Sequence, residues 1–140
     1  MTATTETRPT GCPGYSETLP CAPESARIAR NLVHTALTVW GHEDLAQDGT
    51  SIVSELVANA AQHTRSRLIE VSITHPAPAY VRIAVADRDR GGLPLKCATG
   101  EGDESGRGLA LVDALAERWG TDILPRGKRV WGELKCEAAS

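Results

Sequence analysis

Apolar residues follow two different periods along this chain, and the order of these periods limits the folds that it can adopt. Over residues 24–41, and again from about 43 to 62, they recur every three to four residues, which is typical of amphipathic helices. Over residues 68–74 and 80–87 they alternate with other residues, as in a pair of half-buried strands. The chain up to residue 87 therefore predicts two helices followed by a hairpin.

The rest of the chain continues with another helix and another hairpin. A third helix is predicted to begin at about Arg107 and to stop at Gly120, with Trp119 closing its apolar stripe. Two short strands, over residues 121–124 and 129–136, follow it. This order predicts an α+β fold, a two-layer α/β sandwich in which three helices cover one face of a mainly antiparallel, mixed sheet.

The length of 140 residues is sufficient for one domain with its own core. We assign residues 14–140 to this domain, beginning with a short extended segment at residues 15–19. Residues 1–13 are rich in Thr and Pro and almost free of large apolar side chains, so a disordered N-terminal tail is predicted there.

Charge and hydropathy argue against two classes of partner. Fifteen basic residues against 18 acidic ones give a net charge of −3, which gives no basis for binding nucleic acid. The longest apolar stretches are interrupted by charges, and the N-terminus lacks the basic start and apolar run of a secretory signal. The sequence therefore predicts a soluble cytoplasmic protein without a membrane or nucleic-acid partner.

The four cysteines show no C-x-x-C spacing and no nearby histidine pattern, so the sequence indicates neither a zinc site nor a redox pair. Two disulfides remain formally possible, although reduced thiols are expected in the cytoplasm. The cysteines are Cys12, Cys21, Cys97 and Cys136.

Three polar residues lie one helical turn apart on the second predicted helix, at Glu55, Asn59 and His63. Their stripe is roughly 90° from the centre of the apolar face, which places it at the edge of the core. An amide oxygen is a suitable ligand for hydrated Mg²⁺, and a carboxylate one turn away can hold a water or accept a proton. Solvated surface positions would explain Glu55 and Asn59 equally simply, and the helix dipole would explain His63.

Asp87 has the same strand parity as Val81, Ile83 and Val85, so its carboxylate points inward if the strand extends that far. A buried carboxylate needs a hydrogen-bond donor, and the amino group of a purine would serve. Alternatively, the strand ends at Ala86 and Asp87 is a turn residue.

Gly106 and Gly108 flank Arg107 at the predicted start of the third helix. Backbone N–H groups at a helix start can accept polyphosphate, and Arg107 can add charge, although a Gly-x-Gly before a helix is a weak signal alone. Residues 88–105 between this motif and Asp87 are too many for a simple connection, which favours a lid, a binding loop or a disordered segment.

Together these segments resemble the GHKL ATPase superfamily, and within it the bacterial anti-sigma-factor serine/threonine kinases. Residues 54–64 are similar to the N box, 85–91 to the G1 box and 106–109 to the G2 box, and the resemblance extends over residues 15–136. One departure is Asp89, which stands where the G1 box usually has its first glycine.

The resemblance implies a Bergerat ATP-binding fold with ATP and Mg²⁺ as cofactors. Asn59 would coordinate Mg²⁺, Glu55 would act as general base, and Asp87 would bind the adenine amino group. Gly91 would shape the adenine pocket, and residues 92–105 would form the lid. The remaining nucleotide-contacting residues would be His63, Gly106, Arg107, Gly108 and Leu109.

The implied function is a serine/threonine-protein kinase that regulates transcription. It would phosphorylate an anti-anti-sigma antagonist of the STAS type, sequester a sigma factor, or do both, and a homodimer is one expectation. Two other functions remain open: a non-catalytic module that binds ATP or a protein with weak or no kinase activity, and a simple ATP hydrolase.

Overall fold

The computed structural model describes residues 4–7, 13–63, 66–87 and 103–136. Within these ranges the chain forms three α-helices and one sheet of six strands, which confirms the predicted α+β fold. Asp89, Gly91 and residues 92–102 of the predicted lid lie outside the described residues.

The helices are α1 (Ser25–Val39), α2 (Ala46–His63) and α3 (Asp103–Leu115), with a short 3-10 helix (Glu43–Leu45) directly before α2. Gly41 ends the first of them by turning the chain at φ +80°, a conformation that glycine adopts without a steric penalty. Among the described residues, no helix combines the length and the apolar character needed to cross a membrane.

The sheet has the order β1-β2-β3-β4-β6-β5, and each of its described pairs is antiparallel. The expectation of a mixed sheet is therefore corrected, because no two neighbouring strands among the described residues run parallel. The strands are β1 (Thr4–Thr7), β2 (Pro13–Pro20), β3 (Leu68–Ala77), β4 (Tyr80–Asp87), β5 (Arg118–Leu124) and β6 (Gly127–Lys135).

The core lies between the helices and the inner face of the sheet. Val71 pairs with Val85 across β3 and β4, and all neighbouring inner positions of these strands are buried. Gly49 on α2 lies close to α1, since a Cβ added there would be 3.0 Å from the side chain of Leu37 and 3.1 Å from that of Val33. This glycine lets the two helices approach each other over the sheet.

The third helix differs from its prediction at both ends. It begins at Asp103 rather than at about Arg107. It ends at Leu115, because Trp119 and Gly120 belong to β5 and pair with β6. The pairing of β5 with β6 therefore outweighs the helical spacing that had placed Trp119 in the third helix.

Thr4–Thr7 form an edge strand in the segment where the sequence predicted a disordered tail. Pairing with β2 uses backbone groups and needs no large apolar side chain. Residues 1–3 and 8–12 of the same segment lie outside the described residues. Threonine, a β-branched residue, is also favoured in strands.

Candidate functional site

Asp87 is the last residue of β4 and is 4% exposed. Its register partners are Ile69 on β3 and Lys128 on β6, and it shares the inner face of the sheet with Val85. The parity prediction is therefore confirmed, and the alternative in which β4 ends at Ala86 is excluded. The fold therefore buries the Asp87 carboxylate where β4 ends.

Gly127 packs directly against Asp87, and a residue with a Cβ atom would clash at this position. Its φ is +145°, and a Cβ added there would overlap the Asp87 carbonyl oxygen and lie 2.8 Å from Oδ1. In the sequence, Gly127 lies between the two predicted strands at residues 121–124 and 129–136, and nothing there indicates that this connection packs on the end of β4. Gly127 is thus a positioning residue that sequence reasoning missed.

Lys128 follows Gly127 at the start of β6 and is half-buried. As the register partner of Asp87 it lies on the same face, and the Cβ atoms of such a pair are about 5 Å apart. A cation is therefore placed beside the carboxylate, which only the register of β4 and β6 reveals.

Cys21 lies just after β2, where its N–H donates to the Arg67 carbonyl oxygen at 2.9 Å. Burial raises the pKa of the Cys21 thiol, and the negative charge of Asp87 raises it further. The thiol is thus near enough to respond to the Asp87 carboxylate, and it stays protonated at neutral pH. No sequence signal connects Cys21 with Asp87.

The three polar residues on α2 differ in exposure. Asn59 is 8% exposed, Glu55 is half-buried, and His63 is exposed at the last residue of the helix. The burial of Asn59 excludes the alternative of a solvated surface residue. α2 packs on β4, so Glu55 and Asn59 lie on the helix that covers the strand of Asp87.

Gly106 to Leu109 lie inside α3 rather than before it. In a helix that begins at Asp103, the first four N–H groups, those of residues 103–106, have no partner within the helix. Of the four predicted phosphate contacts, only Gly106 therefore has such an N–H group. The side chain of Leu109 is buried with Val112 in the core.

The chemistry of these side chains suits the binding of an adenine nucleotide with Mg²⁺. A buried carboxylate accepts a hydrogen bond from an amino group, and a buried amide oxygen is a hard neutral ligand suited to Mg²⁺. A half-buried carboxylate such as Glu55 stays accessible to an incoming hydroxyl.

Comparison with known proteins finds a family whose model matches most of the chain. A family model for the histidine kinase-like ATPase domain matches residues 19–131, a range that includes Glu55, Asn59 and Asp87. An uncharacterized protein from Streptomyces coelicolor is 43% identical over 70 residues. The aligned segment covers 49% of this chain and 63% of that protein, so it spans less than two-thirds of the relative.

Proposed function

The chain belongs to the family of histidine kinase-like ATPase domains, and on that basis we propose that it is a regulatory protein that binds ATP with Mg²⁺ and phosphorylates a partner protein. The observation that carries the proposal is the buried carboxylate of Asp87 at the end of β4. Asp87 would accept a hydrogen bond from the adenine amino group, while Gly127 keeps the end of β4 in place.

Asn59 would hold Mg²⁺ through its amide oxygen. Its burial on α2, over the strand that ends at Asp87, limits the orientations of the amide and so favours a defined ligand position. When bound, the metal supplies positive charge that neutralises the phosphates. Lys128, beside Asp87, would place a positive charge at the adenine end of the site.

Glu55 would act as the general base. It lies one helical turn before Asn59 and is half-buried, so a serine or threonine hydroxyl from a partner can reach it. There it would take the proton as the hydroxyl oxygen attacks the terminal phosphoryl group. His63, exposed at the end of the same stripe, would lie at the rim of the site.

The phosphate contacts proposed for Gly106, Arg107, Gly108 and Leu109 require a change in α3. The N–H groups of residues 107–109 lie in the helical interior of α3, where they donate to carbonyl groups one turn earlier. They become available to phosphate only when the helix begins about one turn later. We therefore expect the first turn of α3 to open when the nucleotide binds.

The proposed protein substrate is a STAS-type anti-anti-sigma antagonist, and a sigma factor is the proposed second partner. The three motif segments, with their resemblance to anti-sigma-factor kinases, support this choice. A non-catalytic binding module remains the competing function.

Calorimetric titration with ATP, with and without Mg²⁺, tests the binding part of the proposal. Asp87→Asn should weaken ATP binding about tenfold or more, because a hydrogen bond to a charged group is worth about 1.5–3 kcal/mol. Asp48→Asn, in the first turn of α2, is the matched control and should leave the affinity unchanged. Equal affinities in Asp87→Asn and the original chain would remove Asp87 from the site.

Incubation with labelled ATP and candidate antagonists tests the transfer. Glu55→Gln should slow phosphorylation by about 100-fold or more while ATP affinity stays nearly constant, because general-base catalysis contributes at least that factor. ATP binding without transfer to any antagonist would favour the non-catalytic module. Absence of ATP binding would overturn the kinase proposal and leave only a module that binds a protein.

A further inference from the structure

A second cluster of chemically active side chains lies at the other end of the sheet from Asp87. His42 follows α1, His75 lies on β3 near the β3–β4 hairpin, and Cys136 comes directly after β6. Tyr80 pairs with Lys135, so Cys136 is beside the first residue of β4, whereas Asp87 is its last. At about 3.3 Å per residue, the two places are roughly 23 Å apart.

We propose that His42, His75 and Cys136 form a binding site for one transition-metal ion, and that this ion is Zn²⁺. Two imidazole nitrogens and a thiolate are donors that suit zinc, whereas Mg²⁺ prefers oxygen. The site is separate from the proposed nucleotide site, and nothing in it depends on ATP.

The spacing of the donor atoms matches a tetrahedral zinc ion. The Nε2 atoms of His42 and His75 are 3.3 Å apart. Two nitrogens held about 2.0–2.1 Å from zinc in tetrahedral geometry are about 3.3–3.4 Å apart. The potential ligand atoms of all three residues lie within 4.8 Å of one another, and side-chain rotation would close the remaining gap to sulfur.

The hydrogen bonds of His75 direct its unprotonated ring nitrogen toward His42. Nδ1 of His75 lies 2.8 Å from the Ala77 carbonyl oxygen, which can only accept. Nδ1 therefore carries the proton, and in the neutral ring the lone pair is on Nε2, which faces His42. A backbone carbonyl on the other ring nitrogen is the usual arrangement that orients a metal-binding histidine.

Packing holds the cluster in place. The His75 ring contacts Trp40 edge-on, with centroids 5.2 Å apart, and Trp40 in turn packs on Tyr15 at 5.7 Å. The N–H of Cys136 donates to the Ala79 carbonyl oxygen at 2.8 Å, and that of His42 to Leu37 at 2.7 Å. Since the ligands come from three separate segments, a bound ion would join the end of α1, β3 and the chain after β6.

The third donor is the buried thiol of Cys136. This residue is 3% exposed, and its Sγ donates a hydrogen bond to the Pro78 carbonyl oxygen at 3.3 Å. Zinc would replace the thiol proton, which leaves to solvent as the Zn–S bond forms. The fourth tetrahedral position would go to water.

Titration of the untagged, chelator-treated full chain with Co²⁺ and Zn²⁺ tests the site. We expect one ion per chain, a thiolate-to-cobalt charge-transfer band, and the intense visible bands of tetrahedral Co²⁺ that Zn²⁺ then displaces. Cys136→Ser should remove the charge-transfer band, and His75→Ala should weaken binding by roughly 100-fold or more. His42→Ala, at a half-buried loop position, provides a third variant if either of these fails to fold.

Two controls make the outcome specific. Cys21→Ser removes a thiol at the other end of the sheet, and His34→Ala removes an exposed histidine on α1; both should retain the band and the affinity. No binding of Co²⁺ or Zn²⁺ below about 100 μM by the folded chain would overturn the proposal. So would a site that survives Cys136→Ser and His42→Ala unchanged. Asp87→Asn should bind zinc normally, which keeps this result independent of the nucleotide site.

Discussion

A single carboxylate, that of Asp87, carries most of the proposed nucleotide recognition, and its surroundings come from three other parts of the chain. Ile69 and Lys128 flank it in the sheet, Cys21 responds to its charge, and Gly127 lies against its backbone. A residue in such a position is sensitive to changes in neighbours that do not contact the ligand.

Replacement of Gly127 by Ala tests this dependence. The added Cβ would both occupy a strained φ and overlap the Asp87 carbonyl oxygen, so the free energy of unfolding should fall by about 2–4 kcal/mol and ATP binding should weaken. Gly41→Ala is the matched control, since φ is +80° there but nothing lies within 4 Å of the added atom. It should lose only about 1–2 kcal/mol.

Urea denaturation gives both free energies, and calorimetry gives the ATP affinity. Equal losses in the two variants would mean that the close approach of Gly127 to Asp87 contributes nothing beyond the strain.

The outer face of the sheet is held together by side chains of β4, β5 and β6 rather than by helices. Glu133 on β6 is 1% exposed and accepts hydrogen bonds from Arg82 on β4 at 2.8 Å and from Arg118 on β5 at 2.7 Å. Arg82 also stacks on the Trp131 ring, with its guanidinium 4.5 Å from the ring centroid. This ionic and aromatic layer covers the face that the helices leave open.

Glu133→Gln should lower the free energy of unfolding by about 1–3 kcal/mol, because two charged donors lose a buried ionic acceptor. The partial exposure of Arg82 and Arg118 limits the loss, since water can solvate both cations. Asp122→Asn is the control: its ion pair with Arg129 is 41% exposed on both sides, so removing it should change the free energy by less than about 1 kcal/mol. Similar values from denaturant titrations of the two variants would contradict a structural role for Glu133.

In the whole molecule, β4 connects the two proposed sites, with Tyr80 next to the metal cluster and Asp87 in the nucleotide site. Sites this far apart and without shared ligands should act independently on stability. Each ligand that binds only the folded state, at 100 times its dissociation constant, adds about 2.7 kcal/mol.

The expected result is additive stabilisation. Chain loaded with zinc and freed of excess metal, then mixed with ATP and Mg²⁺, should show a gain in unfolding free energy equal to the sum of the two separate gains, within about 0.5 kcal/mol. Denaturant titrations of the four states provide the measurement. A gain well above or below the sum would mean that the two ends of β4 are coupled.

Much of the fold follows from local patterns. Helical periodicity predicts α1 and α2 with their buried faces, and alternation does the same for β3 and β4. Both patterns are visible within a few consecutive residues. Asn59 and Asp87 are identified in the same way, from their positions on a helix edge and a strand face. Where a pattern competed with long-range pairing, as for Trp119 in β5, the pairing prevailed.

The sequence by itself thus determined the α+β class, the main helices and strands, the family and the two most buried polar residues of the candidate site. Only the tertiary structure decided which distant residues meet: Gly127 against Asp87, and His42 with His75 and Cys136. Spacing along the chain gives no sign of either group, because both depend on the register of the sheet and on where the connections return the chain. Periodicity is a local property, whereas a contact between remote segments is fixed only when the whole sheet has formed.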